Sequence, residues 1–476
     1  MHLPKLTITS VFAAGLLLGT GCKTYNQQNK GGSPWKMGNI DAAAEEFTKS
    51  AESNKDNKDT VIWRLEQGTV LHAGGKYEES LKAFEAAEQK IAEYDERAKV
   101  KLGNEAGAML SNQANLPYEG RDYDRVLLNT YKALNYLALG QGDKARPELI
   151  RSYQRQQDAV ENNKKRIEKA EEEISKAKEG KDAQSADKSV EKARQDPKVS
   201  GPLDANYKEL DALRAYADYV NPFPVYLDGV YFLHFAADAS DKERARKSFE
   251  RVRGLSGDNP FISRDLDIAE KSAQGQPTPA MTYLVFETGS APWRDQFRVD
   301  LPVFFIGSGN VPYVGAAFPK LVLDPNYASG LIVTAGAETN VTVTLSRMDS
   351  VVGQDFKNEL PSIITKTLLS TTIKAAAAYG VNKAVSDQNA IAGIFSKVAT
   401  AIAQAAVNIA DTRTWTTLPK EYQFCSFPTP ADQKIELSLP NGQRSPLTVE
   451  TNSVNLIWVR SINPGTPLIV RTTKLK

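Results

Sequence analysis

Residues 274–279 read Gln-Gly-Gln-Pro-Thr-Pro (QGQPTP), and the hydrophobic pattern differs on the two sides of this stretch. Upstream, from Pro34 onward, apolar residues recur at spacings of three and four with Glu and Lys between them, which predicts amphipathic helices. Downstream, short apolar segments alternate with Gly, Asn and Pro, which predicts strands. The sequence therefore predicts several domains: an all-α region over residues 34–275 and an α+β domain over residues 280–476.

Three segments of the helical region share one order of small, large and turn residues. The copies are Gly68, Leu71, Gly75, Tyr77, Ser80, Phe84 and Ala87; Ala133, Tyr136, Gly140, Ala145 and Leu149; and Gly229, Phe232, Ala245 and Phe249. Small residues such as Gly68 let the two helices of a hairpin approach closely. The pattern resembles the tetratricopeptide repeat and predicts an α-solenoid, a surface that more often binds a partner than catalyses. The irregular spacing leaves a non-repetitive bundle of helical hairpins open.

Residues 153–200 lie between the second and third copies and are dense in Lys, Glu and Gln. Glu161 with Lys165, and Glu172 with Lys176, form favourable i,i+4 pairs. A stripe that includes Ile167 and Ile174 fits the a and d positions of a coiled coil. The segment predicts a charged helical insertion, either a projecting solvated helix or a weakly paired helical hairpin.

The α+β domain is predicted to contain a mainly antiparallel sheet. The expected strands are Thr282–Glu287, Gln296–Phe305, Ser329–Thr334, Asn340–Ser346, Lys434–Leu439, Leu447–Thr451, Val454–Arg460 and Leu468–Thr473. Asn441-Gly442 predicts a hairpin turn within residues 439–443. Two Ala-rich helices are expected between the two groups of strands, over Glu359–Tyr379 with Gly380 ending it, and over Asp387–Ala410.

Four further segments carry a resemblance to a known family. They are NPFPVYLDGVYF (221–232), FETGSAPWRDQFRVDLPV (286–303), AAFPKL (316–321) and ADTRTWTTLP (410–419). Together they resemble a family of uncharacterised bacterial lipoproteins that combine a helical repeat region with a C-terminal β-containing region. The resemblance covers most of the mature chain and implies no established activity. Its association in some genomes with lipoproteins that activate penicillin-binding proteins hints at a role accessory to cell-wall assembly.

Residues 1–21 are typical of an export signal. A charged start is followed by an apolar run and by Gly19-Thr20-Gly21, directly before Cys22. This order resembles a bacterial lipobox, although Gly19 stands where Leu is usual, and implies that Cys22 carries the lipid. An ordinary signal peptide stays open as the alternative. Residues 22–33 are predicted to form a flexible tether. By resemblance to bacterial lipoproteins, Lys23 directly after the Cys favours delivery to the periplasmic face of the outer membrane.

Composition argues against several classes of function. The net charge of +1 gives no global attraction to nucleic acid, and no apolar run after Cys22 is long enough to span a bilayer. The chain has 3 His and 2 Cys, which argues against zinc sites and His-dependent nucleophilic catalysis. Cys425, between Phe424 and Phe427, is expected to be a buried small hydrophobe. We therefore predict no enzyme, and no catalytic, cofactor-binding or metal-binding residue.

Two polar clusters lie inside the family-like segments. Glu287, Asp295 and Asp300 occur beside Arg294 and Arg298, where ion pairs around a strand corner or a glycosidase-type acid/base pair are both conceivable. The second cluster contains Asp411, Arg413 and Trp415, and we expect Arg413 to pair locally and Trp415 to anchor this corner in the core.

The leading hypothesis is a lipid-anchored periplasmic scaffold, bound to the membrane through its N-terminal lipid and to another envelope protein through its helical repeats. One alternative is a carboxylate-dependent hydrolase of cell-wall glycan that uses Glu287 and Asp300. A second alternative is a carrier of a lipid or other apolar ligand, lined by the Ala-rich helices.

Overall fold

A computed structural model describes residues 33–100, 113–177, 190–216, 220–302, 313–386 and 409–476. The signal segment, Cys22 and nearly all of the tether lie outside these ranges. So does the helix expected over 387–410, except for its last two residues.

The described chain before residue 274 is mainly helical. The helices are α1 (Ile40–Ser53), α2 (Thr60–Ala73), α3 (Tyr77–Val100), α4 (Asp122–Ala138), α5 (Gly142–Ala177), α6 (Pro197–Tyr207), α7 (Pro222–His234), α8 (Ala239–Ser256) and α9 (Pro260–Ala273). Short 3₁₀ turns occur at Gln113–Asn115 and Lys208–Ala212. Each of the three copies falls on one helical hairpin: the first on α2 and α3, the second on α4 and α5, and the third on α7 and α8.

Small residues lie where the helices of each hairpin meet. A Cβ atom added at Gly68 would lie 2.5 Å from the Phe84 ring, and one added at Gly229 would lie 2.9 Å from the Phe249 ring. Ser80 Oγ donates a hydrogen bond of 2.7 Å to the Gly68 carbonyl. In the middle hairpin, Ala145 is fully buried. The expected close approach of the helices is therefore confirmed.

Three helices end in the same glycine motif. Gly75, Gly140 and Gly275 have φ values of 75°, 71° and 91°, a conformation that favours glycine. In each case the next residue donates its backbone N–H to a carbonyl five residues earlier: Lys76 to Leu71 at 2.9 Å, Gln141 to Tyr136 at 2.8 Å, and Gln276 to Lys271 at 3.0 Å. The last of these ends α9 within the QGQPTP stretch.

The first part of the predicted charged insertion continues the second helix of the middle hairpin, because α5 runs unbroken for 36 residues. The expected pairs are present, with N–O distances of 3.5 Å for Lys165–Glu161 and 2.7 Å for Lys176–Glu172. This part of α5 packs against a long helix of the C-terminal region, described below.

In the described part of the C-terminal region, eleven strands form three sheets. The strands are β1 (Met281–Thr288), β2 (Trp293–Pro302), β3 (Tyr313–Val322), β4 (Ile332–Ala335), β5 (Glu338–Val341), β6 (Val343–Arg347), β7 (Glu421–Pro428), β8 (Lys434–Ser438), β9 (Arg444–Thr448), β10 (Asn455–Ser461) and β11 (Ile469–Lys474). The sheets have the orders β11-β10-β1-β7-β6, β2-β3 and β5-β4-β8-β9. Only the β1–β10 pair is parallel among the described strands, which confirms a mainly antiparallel arrangement.

The long helix α10 spans Met348–Ser386 and corrects the helix expected over Glu359–Tyr379. It begins directly after β6 because Met348, Val352 and Phe356 repeat every four residues and are all buried. Gly380 does not end it. A glycine inside a helix costs only about 1 kcal/mol, and the neighbouring alanines favour continuation.

Residues of the helical region and of the five-stranded sheet share one hydrophobic core. Phe223 of α7 stacks on Tyr422 of β7 with ring centroids 4.1 Å apart. His72 of α2 meets Trp458 of β10 edge to face at 4.8 Å. A smaller cluster joins α6, β2, β3 and α10. The helical hairpins therefore cover one face of the sheet.

Candidate functional site: an arginine-lined pocket

A pocket of about 300 Å³ opens where α5, α10, β2 and residues 411–413 meet. Charged side chains make up much of its wall. The cations are Arg121, Arg166, Lys169, Arg294, Lys366 and Arg413, and the carboxylates are Glu119, Glu173, Glu359 and Asp411. The remaining wall includes the apolar residues Leu116, Pro117, Ile167, Ala170 and Ile363, which we call the apolar side of the pocket.

Three arginines that line this pocket converge on two carboxylates of α10, of which Glu359 also lines it. Arg121 Nη1 donates to Asp355 Oδ2 at 2.8 Å and to Glu359 Oε2 at 2.7 Å. Arg294 Nη2 donates to Glu359 Oε2 at 2.8 Å. Arg166 Nη2 donates to Asp355 Oδ1 at 2.8 Å, and its Nη1 lies 3.2 Å from Glu359 Oε1. We call these five residues the arginine cluster.

Local structure places each member of the arginine cluster. Asp355 and Glu359 are four residues apart on α10, so both face the same side. Arg121 caps the N-terminus of α4, where its backbone N–H donates to Asp124 Oδ2 at 2.9 Å. Arg294 lies on β2, and its backbone N–H donates to Thr414 Oγ1 at 3.1 Å. The cluster thus joins the helical region, the β2–β3 ribbon and α10.

The arginines keep Glu359 ionised. Burial alone would raise the pKa of Glu359, but Arg121, Arg294 and Arg166 outweigh burial and hold that pKa well below its usual range. Burial would likewise lower the pKa of Arg121, but Glu359 and Asp355 raise it well above its ordinary value. Both partners are therefore charged at neutral pH.

Residues 411–417 run from the pocket into the core. Arg413 Nε donates to Asp411 Oδ1 at 2.8 Å, which confirms the expected local pair. Arg413 Nη1 also reaches Asp59 Oδ1 at 3.0 Å and the Leu116 carbonyl at 2.7 Å. The first contact attaches the segment to the start of α2 and the second attaches it to the chain before α4, and the sequence indicated neither.

Trp415 is fully buried, as expected for a core anchor. Beyond it, the Glu66 carboxylate of α2 accepts hydrogen bonds from the backbone N–H groups of Thr416 at 2.7 Å and Thr417 at 3.0 Å. Burial raises the pKa of Glu66 to about 7, although these hydrogen bonds act in the opposite direction. The helices thus hold this segment of their own chain by both side-chain and backbone contacts.

The structure does not bring the two candidate glycosidase carboxylates to one cleft. Glu287 is fully buried within the five-stranded sheet, where it accepts hydrogen bonds from Trp458 Nε1 at 2.9 Å and Tyr131 Oη at 3.1 Å. Asp300 is exposed on the β2–β3 ribbon. Of the polar residues noted in the 286–303 segment, only Arg294 lines the pocket; Asp295 lies 3.8 Å from Lys320, and Arg298 is exposed.

The histidines and the cysteine in the described ranges are buried. Burial lowers the pKa of His72 to about 4 and that of His234 to about 3. His72 Nδ1 is 2.7 Å from Asn135 Oδ1, and His234 Nε2 is 2.8 Å from Tyr283 Oη. Cys425 is fully buried, which confirms its expected placement, and burial raises the pKa of its thiol. No group of His, Cys, Asp or Glu residues in the described ranges has a geometry suited to a metal ion.

Sequence reasoning missed four members of the arginine cluster: Arg121, Arg166, Asp355 and Glu359. The available signal was the i,i+4 spacing of Asp355 and Glu359, which is equally typical of a solvated helix face. Their role depends on contacts across 234 and 238 residues of chain, between Arg121 and the two carboxylates.

Comparison with known proteins identifies no relative: no family model, curated protein or solved structure matches the chain. None of the helices in the described ranges combines the length and apolar composition that a bilayer crossing requires.

Proposed function

We propose that the chain is a non-enzymatic interaction protein of the cell envelope, anchored by lipid on Cys22 at the periplasmic face of the outer membrane. In this proposal the three helical hairpins form a tetratricopeptide-like solenoid that binds another envelope protein. The matched small residues at the hairpin crossings support the repeat assignment, with Gly68 against Phe84 and Gly229 against Phe249.

The observation that carries the proposal is the presence of two exposed large apolar side chains on α5, and we call the part of the helix surface that carries them the α5 surface. Ile150 and Val160 are 40% and 42% exposed, and they are two of the five large apolar side chains that are exposed in the described ranges. The five-stranded sheet packs on the helical hairpins, with which it shares one core. In this proposal the partner meets the surface that the sheet leaves free, where Ile150 and Val160 present exposed apolar side chains.

Photocrosslinking in intact cells tests this surface. We expect a photoreactive amino acid at Val160 to capture one discrete envelope protein, several-fold more strongly than the same amino acid at Val341. Val341 is the matched control because it is also a large exposed apolar residue, 54% exposed, but lies on β5. The products are compared by mass spectrometry. Equal capture from both positions, or capture from neither, would contradict the proposed α5 surface.

The anchor is tested separately by metabolic labelling with a fatty-acid analogue. Wild type is expected to carry label, and Cys22→Ala is expected to carry none, because the thiol is the acceptor of the lipid. Cys425→Ala is the matched control and should label like wild type, since Cys425 is buried. Equal labelling of Cys22→Ala and wild type would exclude the lipid anchor without testing the α5 surface.

A further inference from the structure

The arginine cluster leaves hydrogen-bond donors unused beside the pocket. Arg121 uses only Nη1 for its contacts with Asp355 and Glu359, and Arg294 uses only Nη2 for its contact with Glu359. The second terminal nitrogen of each guanidinium therefore makes no hydrogen bond to a described residue. The Nε atoms of Arg121 and Arg294 are also buried without a partner. Arg294 is only 2% exposed, so water gives its guanidinium little compensation.

The charges around these donors favour a ligand with one negative charge. Three guanidiniums contact the two carboxylates of the arginine cluster, so the cluster itself carries one excess positive charge. Asp122 lies 3.9 Å from Arg166, and Asp124 accepts a hydrogen bond from the Arg121 backbone. Glu359 and Asp411 line the same pocket and would repel a dianion more strongly than a monoanion. Paired guanidinium donors match the planar geometry of a carboxylate.

The apolar side of the pocket favours a ligand that carries an apolar group in addition to its negative charge. Leu116, Pro117, Ile167 and Ile363 line this side, and Leu116 is 37% exposed. The volume of about 300 Å³ lies at the lower end of the range for small-molecule sites. A short aliphatic group would fit, and its burial would remove apolar surface from water.

We propose that this pocket binds a monocarboxylate with a short apolar body, with Arg121 and Arg294 holding the carboxylate and Leu116 and Ile363 contacting the apolar part. The carboxylate could belong to a free aliphatic acid or to the end of a peptide chain with an apolar last residue. This site is separate from the α5 surface of the proposed scaffold, so a negative result for one of the two proposals does not contradict the other.

Isothermal titration calorimetry on the full purified chain at pH 7 tests the site with 4-methylpentanoate as the probe. The neutral isostere 4-methylpentanamide is expected to bind at least about tenfold more weakly, because it lacks the charge that pairs with the arginines. Inorganic phosphate is also expected to bind more weakly than the probe. Equal binding of acid and amide, or tighter binding of phosphate, would overturn the proposal.

Two variants of one pocket residue separate charge from shape. Leu116→Asp should weaken binding of 4-methylpentanoate about tenfold by repulsion, whereas the isosteric Leu116→Asn should stay closer to wild type. Thermal melts establish that both variants fold, and neither substitution touches the arginine cluster. Equal affinities of the Asp and Asn variants would place the probe elsewhere and overturn the proposal.

The source of the carboxylate is distinguished with the tripeptide Ala-Ala-Leu and its C-terminal amide. If the tripeptide binds more tightly than 4-methylpentanoate and its C-terminal amide loses this binding, the result supports the site and assigns it to a chain end. Weaker binding of the tripeptide than of the free acid supports the site and assigns it to a small aliphatic acid.

Discussion

Glu359→Ala is expected to lower the free energy of unfolding at pH 7 by about 3–5 kcal/mol, because removing one partner of a buried ion pair leaves charge uncompensated. Glu359 contacts Arg121 at 2.7 Å, Arg294 at 2.8 Å and Arg166 at 3.2 Å. After the substitution, Asp355 would be the one carboxylate of the arginine cluster left to balance these three guanidiniums. Chemical denaturation followed by circular dichroism measures the loss.

Glu168→Ala is the matched control for this prediction. Glu168 lies on α5, where it is 60% exposed and 3.8 Å from Lys164. Its loss is expected to change stability by less than about 0.5 kcal/mol. A change of similar size in both variants would show that the arginine cluster contributes no more than a surface pair.

The stability difference between wild type and Glu359→Ala is expected to depend on pH. The pKa of Glu359 is depressed in the folded chain, so its stabilising contribution is present above its unfolded pKa of roughly 4.3 and is lost as pH falls towards the folded value. The stability difference between wild type and Glu359→Ala should therefore narrow between pH 7 and pH 3. A difference that stays constant over this range would contradict the depressed pKa.

Trp415→Ala is expected to cost about 3–5 kcal/mol, since it removes a fully buried indole and leaves a cavity. The ring centroid of Trp415 lies 6.0 Å from those of Phe84 and Tyr131. Its Nε1 donates to Thr69 Oγ1 at 2.9 Å and to Thr417 Oγ1 at 3.1 Å. One side chain of the C-terminal region thus contacts three helices.

Hydrogen exchange read by mass spectrometry tests how far this loss spreads. Because the helices and the five-stranded sheet share one core, we expect peptides from α2 and from β1 to lose protection together in Trp415→Ala. Trp293→Ala is the control, since Trp293 is only partly buried at the start of β2, and its loss should be clearly smaller. Loss of protection in α2 alone would mean that the sheet folds independently of the helices, as the QGQPTP linker predicts.

Local patterns predicted the elements that depend on local contacts. The hairpins follow from apolar spacing of three and four. Their turns follow from Gly75 and Gly140, whose positive φ angles only glycine adopts readily. The turn around Asn441-Gly442 was predicted for the same reason and joins β8 to β9. These predictions agree with the structure because the residues on which they depend are neighbours in the chain.

Two strands that the sequence did not predict, β7 and β3, lack the local pattern that marks the others. β7 is buried in seven of its eight residues, so it shows no alternation of apolar and polar positions. It pairs with β1 and β6 near the middle of the five-stranded sheet, a position that its own residues do not reveal. β3 was not predicted, and the sequence analysis named only residues 316–321 within it, as part of the family resemblance; its Pro319 is a residue that strands disfavour. Pairing with β2 overrides that preference.

By itself, the sequence determined the change from helices to strands at residues 274–279, the helical hairpins, the mainly antiparallel character of the sheet and the burial of Cys425 and Trp415. These follow from periodicity, glycine geometry and hydrophobicity, which act over a few residues. The tertiary structure alone decided that the helices cover the sheet, that Glu287 is enclosed, and that Arg121, Arg294 and Glu359 meet at one pocket. Charged residues on a helix or strand look alike in sequence whether they face water or each other, because their burial depends on partners far away in the chain.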